Sequence, residues 1–180
     1  MSWVVGNQKV ESYEDFNEQL LSITGELDDI KAKLTLAKFL KTNIGFTMEM
    51  ISGFNLLPIQ EITLKALFLR DNSLVVAGRG WSKSTLISIF SILYSIFYPE
   101  NKICLISSNF RSARRILGAC EKIVNGKKAG LLRACFPNTM RKSNDIYSWA
   151  LPNGSEMFAL PLSNGEGLRG TRANCVIVDE

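Results

Sequence analysis

The chain has 180 residues, of which 46% are hydrophobic and 21% are charged, and its formal net charge is +4. These values are typical of a globular chain with enough apolar material for a core. The sequence contains no histidine, which excludes histidine-based acid–base catalysis, Ser-His-Asp triads and His-ligated zinc within the chain. Its four cysteines include no C-x-x-C pair, and we expect them to be reduced.

The N-terminal part of the chain is predicted to be helical. Apolar periodicity predicts helices over 12–22 and 26–41, and Asn43 and Gly45 are expected to end the second one. A loop or extended piece is predicted over 46–54, and a helix is expected to follow Pro58. We therefore expect a helical extension over residues 1–45 and a larger domain over residues 46–180.

A glycine-rich segment lies between two apolar runs. The first run predicts a strand over 73–77, and the second, over 86–98, is too short for a membrane span of about 20 residues and predicts a buried helix over 84–98. The order of strand, glycine-rich turn, Lys-Ser and helix is that of a phosphate-binding loop, the Walker A motif. Backbone N–H groups and the helix dipole attract phosphate at such a place.

This segment is predicted to bind a nucleotide. Lys83 would reach the terminal phosphates, and the Ser84 hydroxyl would ligate Mg²⁺. Ser82 stands where the motif has glycine, at a cost of about 1 kcal/mol if its φ must be positive. For Trp81, stacking on the nucleotide or a neighbouring subunit and simple shielding of the loop are both open. The predicted nucleotide-binding residues of the loop are Gly78, Arg79, Gly80, Trp81, Ser82, Lys83, Ser84 and Thr85.

A strand over 102–107 is predicted to lead into a basic amphipathic helix over 109–124. At 100° per residue, one face of this helix is apolar; it consists of Ala113, Ile116, Leu117, Cys120 and Val124. Residues 102–142 carry ten basic side chains and one acidic side chain. A solvated face and a contact with the DNA backbone are both open interpretations. The candidate DNA-binding residues are Arg111, Arg114 and Arg115 on the side opposite the core, together with Lys127 and Lys128.

The last part of the chain contains a hairpin signal and an acidic strand end. Asn-Gly at 153–154, between apolar runs, predicts a β-hairpin, and the glycine-rich stretch 164–172 is either a surface loop or a sensing loop. The apolar run 175–178 predicts a buried parallel strand that presents Asp179 to a metal and Glu180 to a water molecule. The fold class is therefore α/β, a mainly parallel sheet of the P-loop NTPase class (RecA-like, ASCE-type) with a hairpin insertion.

Four motifs together resemble the large terminase subunit of tailed bacteriophages, the ATP-driven motors that pump DNA into capsids. They lie at 78–84, 151–155, 165–172 and 176–180. The resemblance implies an ATPase that uses ATP and Mg²⁺, with Lys83, Arg79 and Glu180 as catalytic residues. In this family Arg79 would offset charge on the γ-phosphoryl group, and Gln60 would sense adenine.

The same resemblance implies the partners and the place of action. The partners would be double-stranded DNA, further copies of the chain in a ring, the capsid portal and the small terminase subunit. The place would be the host cytoplasm, on the procapsid, without a membrane.

Two other classes of protein stay open at the level of sequence. One is a superfamily-2-type helicase or translocase fragment. The other is an inactive partner-binding fragment, or the N-terminal extein flank of an intein-interrupted terminase. Because the 180 residues stop at the Walker B acidic pair, we expect a sheet that is incomplete at its C-terminus. We also expect ATP hydrolysis by the full-length protein, and little or none by this piece.

Overall fold

The computed structural model describes residues 3–5, 8–10, 29–78, 80–137, 140–143, 147–161 and 172–179. The predicted helix over 12–22, most of the glycine-rich stretch 164–172, Arg79 and Glu180 lie outside these residues. The chain divides into two compact units, Met1–Met50 with Phe54–Ala66, and Ile51–Gly53 with Leu67–Glu180. The domain boundary at residue 45 remains a prediction.

The first unit contains a short hairpin and helices. Strands β1 (Trp3–Val5) and β2 (Gln8–Val10) pair antiparallel. The helices are α1 (Asp29–Thr42), α2 (Ile44–Ser52) and α3 (Pro58–Leu69), and the last residues of α2 and α3 belong to the second unit. The predicted helix over 26–41 is confirmed from residue 29, where the described residues begin, and the helix after Pro58 is confirmed.

The prediction of a loop over 46–54 is wrong for most of its length, because α2 occupies it. Asn43 is buried between α1 and α2, and its Nδ2 donates to the Phe39 carbonyl oxygen at 3.0 Å. The Phe39 carbonyl oxygen also accepts from the Asn43 main-chain N–H at 2.9 Å. Asn43 therefore closes the end of α1 with its main chain and its side chain, and the chain becomes helical again one residue later. A Cβ on Gly45 would lie 2.6 Å from a carboxylate oxygen of Glu61. Gly45 therefore permits a close contact with α3 instead of ending a helix.

The second unit is built on a five-stranded sheet of order β4-β5-β6-β3-β7. Strand β3 is parallel to β6 and to β7, whereas β4, β5 and β6 form antiparallel pairs. The predicted hairpin is therefore confirmed as β5 and β6. In chain order the elements are α4 (Lys83–Phe97), β3 (Lys102–Ser107), α5 (Phe110–Val124), α6 (Gly130–Cys135), β4 (Arg141–Lys142), β5 (Tyr147–Ala150), β6 (Glu156–Pro161) and β7 (Cys175–Asp179).

The main core lies between one face of this sheet and helices α4 and α5. All five residues of the predicted apolar face of α5 are buried. They pack with Ile92 of α4 and with Ile103 and Leu105 of β3, and fully burying a side chain of this size contributes about 1.5–3 kcal/mol. Burial also raises the pKa of the Cys120 thiol to about 12, so this thiol stays protonated at neutral pH.

The segment that approaches the glycine-rich loop differs from its prediction. The apolar run over 73–77 is not part of the described sheet, and Leu74 and Val76 are 89% and 87% exposed. Among the described strands, β7 pairs only with β3. The prediction of a strand over 73–77 is therefore wrong. Apolar composition indicated a strand, but no described strand lies beside this segment. None of the helices in the described part of the chain is both long and apolar enough to cross a membrane.

Candidate nucleotide site

The loop that precedes α4 has two residues in the left-handed backbone region. Gly80 has φ 84°, and Ser82, at the N-cap position of α4, has φ 60° and ψ 32°. Ser82 therefore does have a positive φ, which is the conformation that makes serine unfavourable at this position of the motif. A side chain in this region costs about 1 kcal/mol or slightly more. The Ser82 side chain makes no capping hydrogen bond, so nothing at the cap offsets that cost.

Lys83 closes this loop on itself. Its Nζ donates to the Ala77 carbonyl oxygen at 3.0 Å, which joins the first residue of the loop to the first residue of α4. Trp81 is half-buried, and Ser84 is exposed in the first turn of the helix. The first N–H groups of a helix have no intrahelical acceptor. The lysine ammonium and these N–H groups lie together at the start of α4, as binding of an anion requires.

The other end of α4 shows how the helix lies on the sheet. The Asn153 Nδ2 donates to the Ser95 carbonyl oxygen at 2.7 Å, and the Ser155 Oγ donates to the Tyr98 carbonyl oxygen at 3.0 Å. Both donors lie in the turn between β5 and β6, at the edge where β3 and β6 begin. Because α4 ends at that edge, its first turn lies toward the opposite edge, where the parallel strands end.

Asp179 lies at this same edge, as the last residue of β7, and it is partly buried. In open α/β sheets, ligands bind beside the carboxyl ends of the parallel strands. The direction of α4 therefore turns its first residues, Lys83 and Ser84, toward the edge of the sheet that carries Asp179. Ser107 at the end of β3 shares this edge. Like Asp179, Ser107 is a polar residue at the end of an apolar strand, and this pattern could have indicated it from the sequence.

The donor set at this edge suits a magnesium ion. The Ser84 hydroxyl and the Asp179 carboxylate are oxygen ligands, which hard cations prefer. Within the described ranges there is no cluster of three or more His, Cys, Asp or Glu side chains that could hold a metal by itself. Mg²⁺ takes one or two protein ligands and completes its shell with water and phosphate oxygens, so these two residues fit it.

Gln60 has a local structural role in the first unit. Its Oε1 accepts a hydrogen bond from the Leu57 main-chain N–H at 3.0 Å. Pro58 occupies the first position of α3, and Gln60 the third, so this is the return bond of a capping box. Gln60 is 8% exposed. The adenine-sensing role that the resemblance implied for Gln60 remains a prediction.

The structure separates the three arginines of α5. Arg111 and Arg115 are exposed, as are Lys127 and Lys128. The Arg114 guanidinium instead lies 4.3 Å from the ring centroid of Tyr147 on β5, a cation–π contact worth about 0.5–1 kcal/mol at a partly exposed site.

A salt bridge on the same side of α5 joins the helix to the sheet. The Lys142 Nζ lies 2.7 Å from a carboxylate oxygen of Glu121, and the hydrogen bond to Glu121 raises the pKa of Lys142. Helix α5 is therefore held to β4 and β5 on this side.

Fold and site together define the class of protein. An α/β sheet with a glycine-rich loop, a Lys-Ser pair and a helix at the carboxyl edge of its strands is a P-loop NTPase fold. Residues 74–180 match the family model described as terminase large subunit, T4likevirus-type, N-terminal. The chain belongs to this terminase large-subunit family, as the sequence motifs predicted.

A solved structure has the same fold. It is the large terminase ATPase domain of Thermus phage P74-26, with a TM-score of 0.51 and 18% sequence identity. The match covers 73% of this chain and 56% of that one, so the chain spans little more than half the length of the domain it matches. No curated protein matched the sequence.

Proposed function

We propose that the chain is part of the ATP-binding and ATP-hydrolysing motor of a DNA-packaging terminase. The observation that carries this proposal is the position of the loop and Lys83 at the carboxyl edge of the sheet, together with Asp179. Family membership and the likeness to a terminase ATPase domain support it. The motor would drive DNA into the capsid, in the host cytoplasm.

Each residue of the proposed site has a role. The loop N–H groups and Lys83 bind the β- and γ-phosphates, and for this Lys83 exchanges the Ala77 carbonyl for phosphate oxygens. Ser84 and Asp179 hold Mg²⁺, which when bound neutralises charge on the phosphates. Glu180, next in the chain, orients and deprotonates the attacking water. Arg79 stabilises the charge that develops on the γ-phosphoryl group.

The exposed basic residues are proposed to contact DNA through its phosphates. Arg111, Arg115, Lys127 and Lys128 are solvent-accessible, and a motor that moves along any sequence needs backbone contacts rather than base contacts. Arg114 contributes its charge to this surface while its guanidinium packs against Tyr147. By family membership, the other proposed partners are further copies in a ring, the capsid portal and the small terminase subunit.

Replacement of Lys83 tests the nucleotide site. In the full-length protein that contains this chain, we expect Lys83→Ala to weaken ATP binding roughly 100-fold, because about 3 kcal/mol of charge-assisted hydrogen bonding is lost. Isothermal titration with ATP and Mg²⁺ measures this change. Lys102→Ala is the matched control, since Lys102 is exposed at the opposite edge of the sheet, where β3 begins. Tight ATP binding by Lys83→Ala would contradict the assignment of the loop.

A further inference from the structure

Three fully buried serines on α4 use their hydroxyl groups in different ways. They are Ser88, Ser91 and Ser95. The hydroxyls of Ser91 and Ser95 each donate at 2.8 Å to a carbonyl oxygen one turn earlier in α4. The Ser88 hydroxyl has such an acceptor too, the Ser84 carbonyl oxygen at 2.7 Å, and a second one on α5, the Ile116 carbonyl oxygen at 3.1 Å. Of these three serines, Ser88 is therefore the one whose hydroxyl reaches α5.

A second hydrogen bond runs in the opposite direction between the same two helices. The thiol of Cys120, one turn after Ile116 on α5, donates to the Ser88 carbonyl oxygen at 3.7 Å. Ser88 and Cys120 are both fully buried, and Cys120 belongs to the main core. We call this pair of bonds the α4–α5 joint. Buried polar groups that are paired with each other specify one arrangement of a core, so the joint fixes the position of α4 along α5.

The hydroxyl of this joint has a choice between two acceptors. A serine hydroxyl carries one hydrogen, and the Ser88 hydrogen is shared between the carbonyl oxygens of Ser84 and Ile116. Ser84 belongs to the proposed nucleotide site, and Ile116 follows Arg115 of the proposed DNA surface. A movement of the first turn of α4 that strengthens the bond to Ser84 therefore weakens the bond to α5, and the reverse also holds.

We propose that the α4–α5 joint transmits nucleotide binding at the start of α4 to the basic surface of α5, and DNA binding back to the nucleotide site. The inference rests on the proposed function, in which Ser84 holds Mg²⁺ and Arg115 contacts DNA. Ser88 lies five residues after Lys83, about 7.5 Å along the helix axis, and it has no proposed contact with ATP or DNA. It is a positioning residue that acts through the two helices. Each ligand then changes the affinity for the other by the same factor.

The test measures this coupling factor in the full-length protein. A non-hydrolysable ATP analogue is titrated in Mg²⁺, with and without saturating duplex DNA, and the ratio of the two affinities is the factor. Such factors are typically about 5–150. We expect Ser88→Ala to reduce the factor by about threefold or more, and to leave the affinity without DNA unchanged. Ser91→Ala is the matched control, because it removes an equally buried hydroxyl whose bond stays within α4.

A second variant tests the other bond of the joint and leaves Ser88 in place. Cys120→Ala removes the thiol donor, and we expect it to reduce the coupling factor as well. Its control is Cys104→Ala, since Cys104 is also buried but packs in a separate apolar cluster on the other face of β3. This pair of variants gives the answer if Ser88→Ala does not fold, which circular dichroism would reveal.

The outcomes separate this inference from the proposed function. If the wild type fails to bind the analogue or DNA, the proposed function fails and the inference fails with it. If it binds both and neither ligand changes the affinity for the other, the inference is overturned alone. Equal coupling factors for Ser88→Ala and Ser91→Ala would also overturn it. So would an equal loss of affinity with and without DNA in Ser88→Ala, because that result indicates a general structural role.

Discussion

Ser82 holds a backbone conformation that L-residues seldom adopt. At φ 60° and ψ 32° its Cβ crowds the following carbonyl oxygen, and the residue stands immediately before Lys83. Strain at such a position persists only when the surrounding structure enforces it. Here the bond from Lys83 to the Ala77 carbonyl closes the loop around Ser82, and the strained residue is therefore part of the proposed phosphate site.

Replacing Ser82 by glycine is expected to stabilise the fold. The change relieves about 1–2 kcal/mol of backbone strain in the folded state. It also raises the entropy of the unfolded chain, which destabilises the fold by about 0.5–1 kcal/mol. The net gain in stability is therefore about 0.5–1 kcal/mol. Thermal unfolding should show a rise in Tm of about 2 °C for a chain of this size, with ATP affinity equal or higher. Ser82→Ala is the control, because alanine keeps the strained φ. An equal rise for Ser82→Ala would show that strain is not the cause.

At the scale of elements, the turn between β5 and β6 serves as the C-terminal cap of α4. The last carbonyl groups of a helix have no intrahelical donor, and here Asn153 supplies one to the buried Ser95. The Asn153 Oδ1 also accepts from the Ser155 N–H at 3.1 Å, which shapes the turn itself. Gly154 has φ 82°, and a Cβ there would lie 3.2 Å from Glu100, so this turn requires glycine.

Removing the Asn153 amide is expected to destabilise the protein. Asn153→Ala leaves the Ser95 carbonyl buried without this donor, which costs about 1–3 kcal/mol. Chemical denaturation of the full chain, followed by circular dichroism, measures the loss. Asn125→Ala is the matched control, because Asn125 is exposed and its hydrogen bonds to Glu121 and Ile123 come from its main-chain N–H. Equal stability of Asn153→Ala and the wild type would exclude the capping role.

Elements with a strong local signal could be predicted from the sequence. Strand β3 has the predicted bounds, the core face of α5 follows from helical angles, and the hairpin follows from Asn-Gly. The errors arose where a partner distant in sequence decides the outcome. Gly45 indicated a helix end, but a contact with Glu61 explains it. The short helix α6 was missed, because six residues are too few to show a period.

In the candidate site, too, local sequence signals could be recognised, whereas contacts between residues distant in sequence could not. The loop, Lys83 and Asp179 could be identified because motif order survives in the sequence. The positions of Arg114 and Ser107 could not be found in this way. Arg114 is set apart from its neighbours by Tyr147 on another strand, and Ser107 becomes noteworthy only when sheet register places it beside Asp179. Neither the cation–π contact of Arg114 nor the register position of Ser107 is encoded within one element.

At the scale of the whole molecule, basic charge is concentrated on one segment of the second unit. On α5, Arg111, Arg115 and Lys122 are exposed and lie within about 40° when each residue turns by 100°. They form a basic line along one side of the helix. Arg114 and Glu121 lie to one side of it, where they contact β5 and β4. This line is the part of the basic segment best placed to follow a phosphate backbone.

Neutralising the line is expected to lower the salt dependence of DNA binding. Each phosphate contact contributes about 0.9 to the slope of log K against log[salt], so replacing all three residues by glutamine should flatten it by about two to three units. Binding of the full-length protein to two unrelated duplexes, at several salt concentrations, measures this slope. The matched control replaces the exposed Lys31, Lys33 and Lys38 of α1 by glutamine, which removes the same charge. A slope for the α5 variant equal to that of the wild type would show that these residues do not contact DNA phosphates.

Helix α4 is fixed at both ends, and this limits how its length can vary. Its 15 residues extend about 22 Å at 1.5 Å per residue, from the capped end at one edge of the sheet to the loop at the other. Inserting or deleting one residue would turn one end by about 100° relative to the other and shift it by about 1.5 Å. Lys83 would then leave the loop, or Ser95 would leave Asn153. The length of α4 therefore sets the distance between the glycine-rich loop and the turn that caps the helix.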